Sequence, residues 1–137
     1  VVVGERENAA GNMGVENRQK KILIAEDVES SYLQINAFLK KEYTILWVPN
    51  GEEAVKSFIR EKPDLILMDI KMPNINGLDA TRAIREMSAD VPVIAVSAYA
   101  YEKDKIAAIE SGCNDFLTKP VSADLLKMTI NKYLKQK

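Results

Sequence analysis

The sequence predicts an α/β protein: a doubly wound, five-stranded parallel sheet with helices on both faces. Two observations carry this. Five short apolar runs alternate with five segments of helical spacing, so each crossover helix has to pack back onto the sheet. The central run, Leu65 to Met68, shows no alternation of polar and apolar residues, as a strand buried on both faces requires.

The elements follow in order. Val1 to Gln19 carries three glycines and three asparagines without periodicity, and reads as a flexible linker or tail before a domain over 20–137. The chain begins with Val, which suggests a piece of a longer protein. Lys21–Ala25 is the first strand, and Tyr32, Leu33, Ile35, Phe38 and Leu39 give a helix from about Ser30 to Lys41. Thr44–Val48 is the second strand, stopped by Pro49. Asn50 caps the next helix, with Glu53 completing a capping box; its apolar face is Ala54, Val55, Phe58 and Ile59. After the third strand, Pro73 and Gly77 shape a turn into a helix over Leu78–Met87, with Ala80, Ile84 and Met87 on one stripe. Val93–Ser97 is the fourth strand, and a helix over Tyr101–Glu110 stops at Gly112. Asp115–Thr118 is the fifth strand. Ser122 caps a last helix with Leu126, Ile130, Tyr133 and Leu134 inward.

Composition excludes several classes of function. The 19 basic and 20 acidic residues nearly cancel, against a strongly basic nucleic-acid binder. No apolar run approaches the ~20 residues that span a bilayer. Histidine is absent, which removes Ser-His-Asp and Cys-His chemistry, imidazole metal sites and a phosphohistidine on this chain. The single cysteine, Cys113, forms no internal disulfide; it fits a packed small residue and a cytoplasmic setting.

In an open parallel sheet, ligands bind beyond the carboxyl ends of the strands, at the switch point of the strand order. With a flavodoxin-like order 2-1-3-4-5, that point lies between strands one and three. Glu26, Asp27 and Asp69 end those two strands, and Ser97 and Lys119 end the fourth and fifth. Each has an ordinary explanation as a cap, a turn or a solvated charge. Together, three carboxylates against one lysine favour a bound cation, since two like charges ~4 Å apart repel by roughly 4 kcal/mol at an effective dielectric of 20. Oxygen ligands in an open cluster suit Mg²⁺. Mg²⁺, Lys119 and Ser97 suit the oxygens of a transferring phosphoryl group, with an Asp as nucleophile.

The motifs Ile24-Ala-Glu26-Asp27, Met68-Asp-Ile-Lys-Met-Pro73 through Gly77, Val96-Ser97-Ala98 and Asp115-Phe-Leu-Thr-Lys119-Pro120 resemble the receiver domains of two-component response regulators, the CheY-like domains. The resemblance covers Lys20 to about Lys135. It implies that Asp69 accepts phosphate from a phosphohistidine on a kinase or a histidine phosphotransfer protein. It further implies Mg²⁺ held by Asp27, Asp69 and the Lys71 carbonyl, with Glu26 acting through water. Ser97 and Lys119 then contact the phosphoryl oxygens, and Phe116 stands at the aromatic switch position. Family members tune the phosphate's lifetime at the positions of Lys71 and Tyr99, and the Lys119–Pro120 bond is often cis.

Ser97-Ala-Tyr-Ala100 followed by Glu102-Lys-Asp resembles receivers at the C-terminal end of hybrid sensor histidine kinases. The alternatives are a stand-alone regulator and a pseudo-receiver that only binds protein. A haloacid-dehalogenase-type phosphatase fits poorly, because Lys71 stands where that family has its second Asp. No direct nucleic-acid or membrane contact is expected of the domain.

Overall fold

A computed structural model describes residues 19–134. The expected linker lies, apart from Gln19, outside the described residues, as does the end of the expected domain.

Strands β1 (Lys21–Ala25), β2 (Thr44–Val48), β3 (Leu65–Asp69), β4 (Val93–Ser97) and β5 (Asp115–Thr118) alternate with helices α1 (Glu29–Leu39), α2 (Gly51–Glu61), α3 (Gly77–Met87), α4 (Glu102–Ser111) and α5 (Ala123–Tyr133). All pairings are parallel, in the order β2-β1-β3-β4-β5. The sequence-predicted strands agree with these to within one residue.

The sheet divides two cores between alternate residues of each strand. Ile22, Ile24, Leu65, Leu67, Ile94 and Val96 face α1 and α5, where Ile35, Leu39, Leu126 and Ile130 cover them. Leu23, Ala25, Ile66, Met68, Val93 and Ala95 face the side of α2, α3 and α4, covered by Ala54, Ala80, Ile84 and Ala108. Both parities are apolar because both faces are covered, and this is why the runs show no alternation.

Local signals set the helix ends. The Asn50 side chain accepts the Glu53 N–H at 2.8 Å, the first bond of the expected capping box. Asn76 caps α3 through the Asp79 N–H, and Ser122 caps α5 through the Leu125 N–H. Gly112 ends α4 with φ at 117°, in the left-handed region that glycine adopts without strain.

Two expectations about helix faces are corrected. Ile59 and Met87 are exposed rather than inward, at 56% and 47%. Each lies at the edge of an apolar stripe wider than the surface its helix buries. Cys113 is buried beside the Thr81 and Ser111 hydroxyls, and burial pushes its thiol pKa up, as a packed residue requires.

Candidate active site at the carboxyl ends of the strands

The register brings four of the sequence-predicted residues to one place. β1 lies between β2 and β3, so the residues after Ala25 emerge beside the end of β3. Glu26 and Asp69 are buried and Asp27 is exposed. One carboxylate oxygen from each lies within 4.8 Å of the others. The Lys119 ammonium reaches Glu26 Oε1 at 2.8 Å and Asp69 Oδ2 at 3.3 Å. The Lys119–Pro120 bond is cis, as the resemblance implies.

Backbone donors hold the remaining oxygens. The Lys71 N–H donates to Asp69 Oδ1 at 3.2 Å, and the Val28 N–H donates to Glu26 Oε2 at 3.1 Å. The loop after β3 is drawn tight against its own strand. The Gly77 N–H donates to Ile70 O at 3.0 Å, and a Cβ on Gly77 would stand 2.1 Å from the Asp69 carbonyl oxygen. Only glycine permits that approach. Gly77 therefore fixes the backbone that follows Asp69.

These contacts set the electrostatics. Burial, then the charge and hydrogen bond of Glu26, raise the Asp69 pKa to about 7; Lys119 and the Lys71 N–H pull against them. Burial alone would lower the Lys119 pKa, but Glu26 and Asp69 outweigh it and raise it. Three acids with one lysine leave negative charge in excess. That excess and the all-oxygen donor set fit a hard divalent cation.

Ser97 ends β4, fully buried, and its Oγ accepts the Tyr99 N–H at 3.0 Å. Lys119 joins this strand end too, its N–H donating to Ser97 O at 2.8 Å. Phe116 is not in the cluster. On the edge strand β5 it pairs with Ala95 of β4 and packs, half-buried, against the core on the side of α2, α3 and α4. The Lys71 ammonium lies 5.7 Å from the centre of the Tyr99 ring.

The family profile described as "Response regulator receiver domain" matches residues 22–131. The chain belongs to this family. Protein PilH of Pseudomonas aeruginosa is 41% identical over 118 residues, which are 83% of this chain and 97% of that protein. Against other curated relatives the chain spans a small part, 8% in one case and 20% in another. The receiver domain of sensor histidine kinase PA1611 from Pseudomonas aeruginosa, whose crystal structure has a magnesium ion coordinated in the active site cleft, aligns at TM-score 0.81. It is 33% identical and covers 87% of this chain and 100% of that one. The co-crystal structure of the Saccharomyces cerevisiae phosphotransfer protein Ypd1 with the receiver domain of Ssk1 supplies another match, at TM-score 0.79 and 31% identity, over 84% of this chain and 88% of that one. This protein is thus a receiver domain of two-component signalling, with the flavodoxin-like sheet order the sequence predicts.

Sequence reading missed the part played by Trp47. Its indole N–H donates to the Glu26 carbonyl oxygen at 2.8 Å. An aromatic residue on a short strand gives no sequence signal for such a bond.

Proposed function

We propose that this receiver is a working phosphoacceptor, with Asp69 as the nucleophile. A carboxylate oxygen of Asp69 attacks the phosphorus of a phosphohistidine; the P–O bond forms, the P–N bond breaks and the imidazole leaves with the electron pair. Mg²⁺, when bound, neutralises the phosphoryl oxygens as charge shifts between donor and acceptor. Asp27, Asp69 and the Lys71 carbonyl would hold it, with Glu26 acting through water. Lys119 turns from its carboxylates to the phosphoryl oxygens, and the Ser97 hydroxyl donates to them. Phe116 then follows Ser97 inward as the switch residue.

The observation that carries this reading is the buried Asp69 at 3.3 Å from Lys119, inside a three-carboxylate cluster that one lysine does not neutralise. The likeness to the magnesium-bound PA1611 receiver supports the metal, and its parent kinase supports placement in a hybrid histidine kinase. The Ypd1 complex supports a histidine phosphotransfer protein or kinase as partner. The domain then works in the cytoplasm, over residues 20–137 behind a linker of residues 1–19, without touching nucleic acid or membrane.

Purified protein incubated with acetyl phosphate gains one phosphoryl group by intact mass, and only with Mg²⁺ present. Asp69→Asn keeps its circular dichroism spectrum and gains none. A wild-type protein left unmodified by acetyl phosphate and by a phosphorylated histidine partner is instead a pseudo-receiver that only binds protein.

A further inference from the structure

Glu26 is held by its backbone as well as by its side chain. Its N–H donates to Val48 O at 3.0 Å, and its carbonyl accepts the Trp47 indole N–H at 2.8 Å. Both peptide units flanking its Cα are therefore fastened to β2. The second of these is the Glu26–Asp27 peptide. Because a peptide is planar, fixing the Glu26 carbonyl fixes where the Asp27 backbone starts. Asp27 is the exposed member of the acidic cluster, so no surrounding core sets its position.

The indole is itself immobilised. It stacks on the Tyr32 ring with centroids 4.3 Å apart and planes 3° from parallel. Tyr32 belongs to α1, which begins two residues after Asp27. One side chain thus joins the edge strand β2, the turn that carries two of the three carboxylates, and the helix that leaves that turn. β2 borders only β1, so Trp47 remains 38% exposed; a partly buried indole N–H usually finds a partner. Simple satisfaction of that N–H is the plain alternative, and it makes a different prediction about the metal.

We infer that Trp47 is a positioning residue of the acidic cluster: its indole N–H, locked by the Tyr32 stack, holds the Glu26–Asp27 turn in the geometry that receives Mg²⁺. The inference rests on the metal binding proposed above. Trp47 touches neither the cation nor the phosphoryl group and acts through the backbone.

Calorimetric titration of Mg²⁺ into the full chain tests it, with wild type, Trp47→Phe, and a variant carrying 3-benzothienylalanine in place of Trp47. The last keeps the bicyclic shape and the stacking area and replaces the N–H with sulfur. Losing one hydrogen bond is expected to weaken Mg²⁺ binding by about three- to tenfold in both variants. In metal-free protein, the isostere should also move the Asp27 amide resonance. Wild-type affinity in the isostere, or a lowered melting temperature with unchanged affinity, overturns the inference and leaves the proposed function standing. A wild-type chain that takes up no Mg²⁺ overturns both. Should Trp47→Phe fail to fold, the isostere alone decides.

Discussion

On the β1–β3 side of the cleft, Glu26 is fastened through its N–H, its carbonyl and both carboxylate oxygens, and Gly77 presses the β3–α3 loop onto Asp69. On the β4 side, Ser97 is buried but the next three residues, Ala98, Tyr99 and Ala100, are exposed. The α4 helix that follows has no side-chain N-cap bond and buries only Ala108 and Ser111, whereas α3 buries Gly77, Ala80, Thr81 and Ile84. The difference matches two tasks. A cation site gains from ligands fixed before the ion arrives. A group that answers a new phosphoryl needs neighbours that are cheap to displace, and segments with few buried contacts supply them.

Substitutions on the two sides should therefore fail differently. The largest effect is expected at Gly77→Ala, where the new Cβ meets backbone at 2.1 Å and the loop has to shift. A loss of roughly 2–4 kcal/mol in urea unfolding is expected, typical of a strained backbone site. Wild-type stability in this variant would show that the loop is held less tightly than its geometry states.

The tied side also has a pH signature. The Asp69 pKa is raised from 3.8 to about 7, so its folded form favours the proton. Its contribution to stability is complete below the unfolded value and is lost as pH rises through about 7. Without metal, wild type should lose up to roughly 3 kcal/mol relative to Asp69→Asn between pH 4 and 8, allowing for water at the open side of the cluster. Mg²⁺ should flatten that slope in wild type only. Parallel melting curves for the two proteins in EDTA would contradict the assignment.

A matched pair separates the sides directly. Asp27→Asn should weaken Mg²⁺ binding about tenfold, a cost near 1.4 kcal/mol. Ser97→Ala should leave Mg²⁺ affinity unchanged and slow phosphorylation by acetyl phosphate. Equal losses of Mg²⁺ affinity would erase the distinction. The smallest effect is expected at Tyr99→Ala. The Tyr99 ring, with the Lys71 ammonium 5.7 Å from its centre, should shield the acyl phosphate from water, so its removal should shorten the phosphate's lifetime about two- to threefold, a change of well under 1 kcal/mol.

The strands and their ends were legible because the central strands are unbroken apolar runs closed by a polar residue, as at Met68–Asp69 and Val96–Ser97. The carboxylate cluster followed, since the 2-1-3-4-5 order is enough to bring Glu26, Asp27 and Asp69 together. The faces of the helices were less legible. Ile59 and Met87 are apolar like their buried neighbours, and only the width of the covered stripe separates them. The Trp47 bond was out of reach for another reason: it needs the β1–β2 register, which sets Trp47 opposite Ile24 and brings the indole up to the next turn. Hydrophobic pattern narrows which face a residue takes, and it carries no information about which carbonyl an indole will meet.

Lys119 places one positive charge among three acids before anything else enters. What remains is a formal double negative charge, the complement of a single divalent ion. A divalent ion held there as proposed would leave the cluster formally neutral, so that an incoming phosphoryl group would meet no net negative charge.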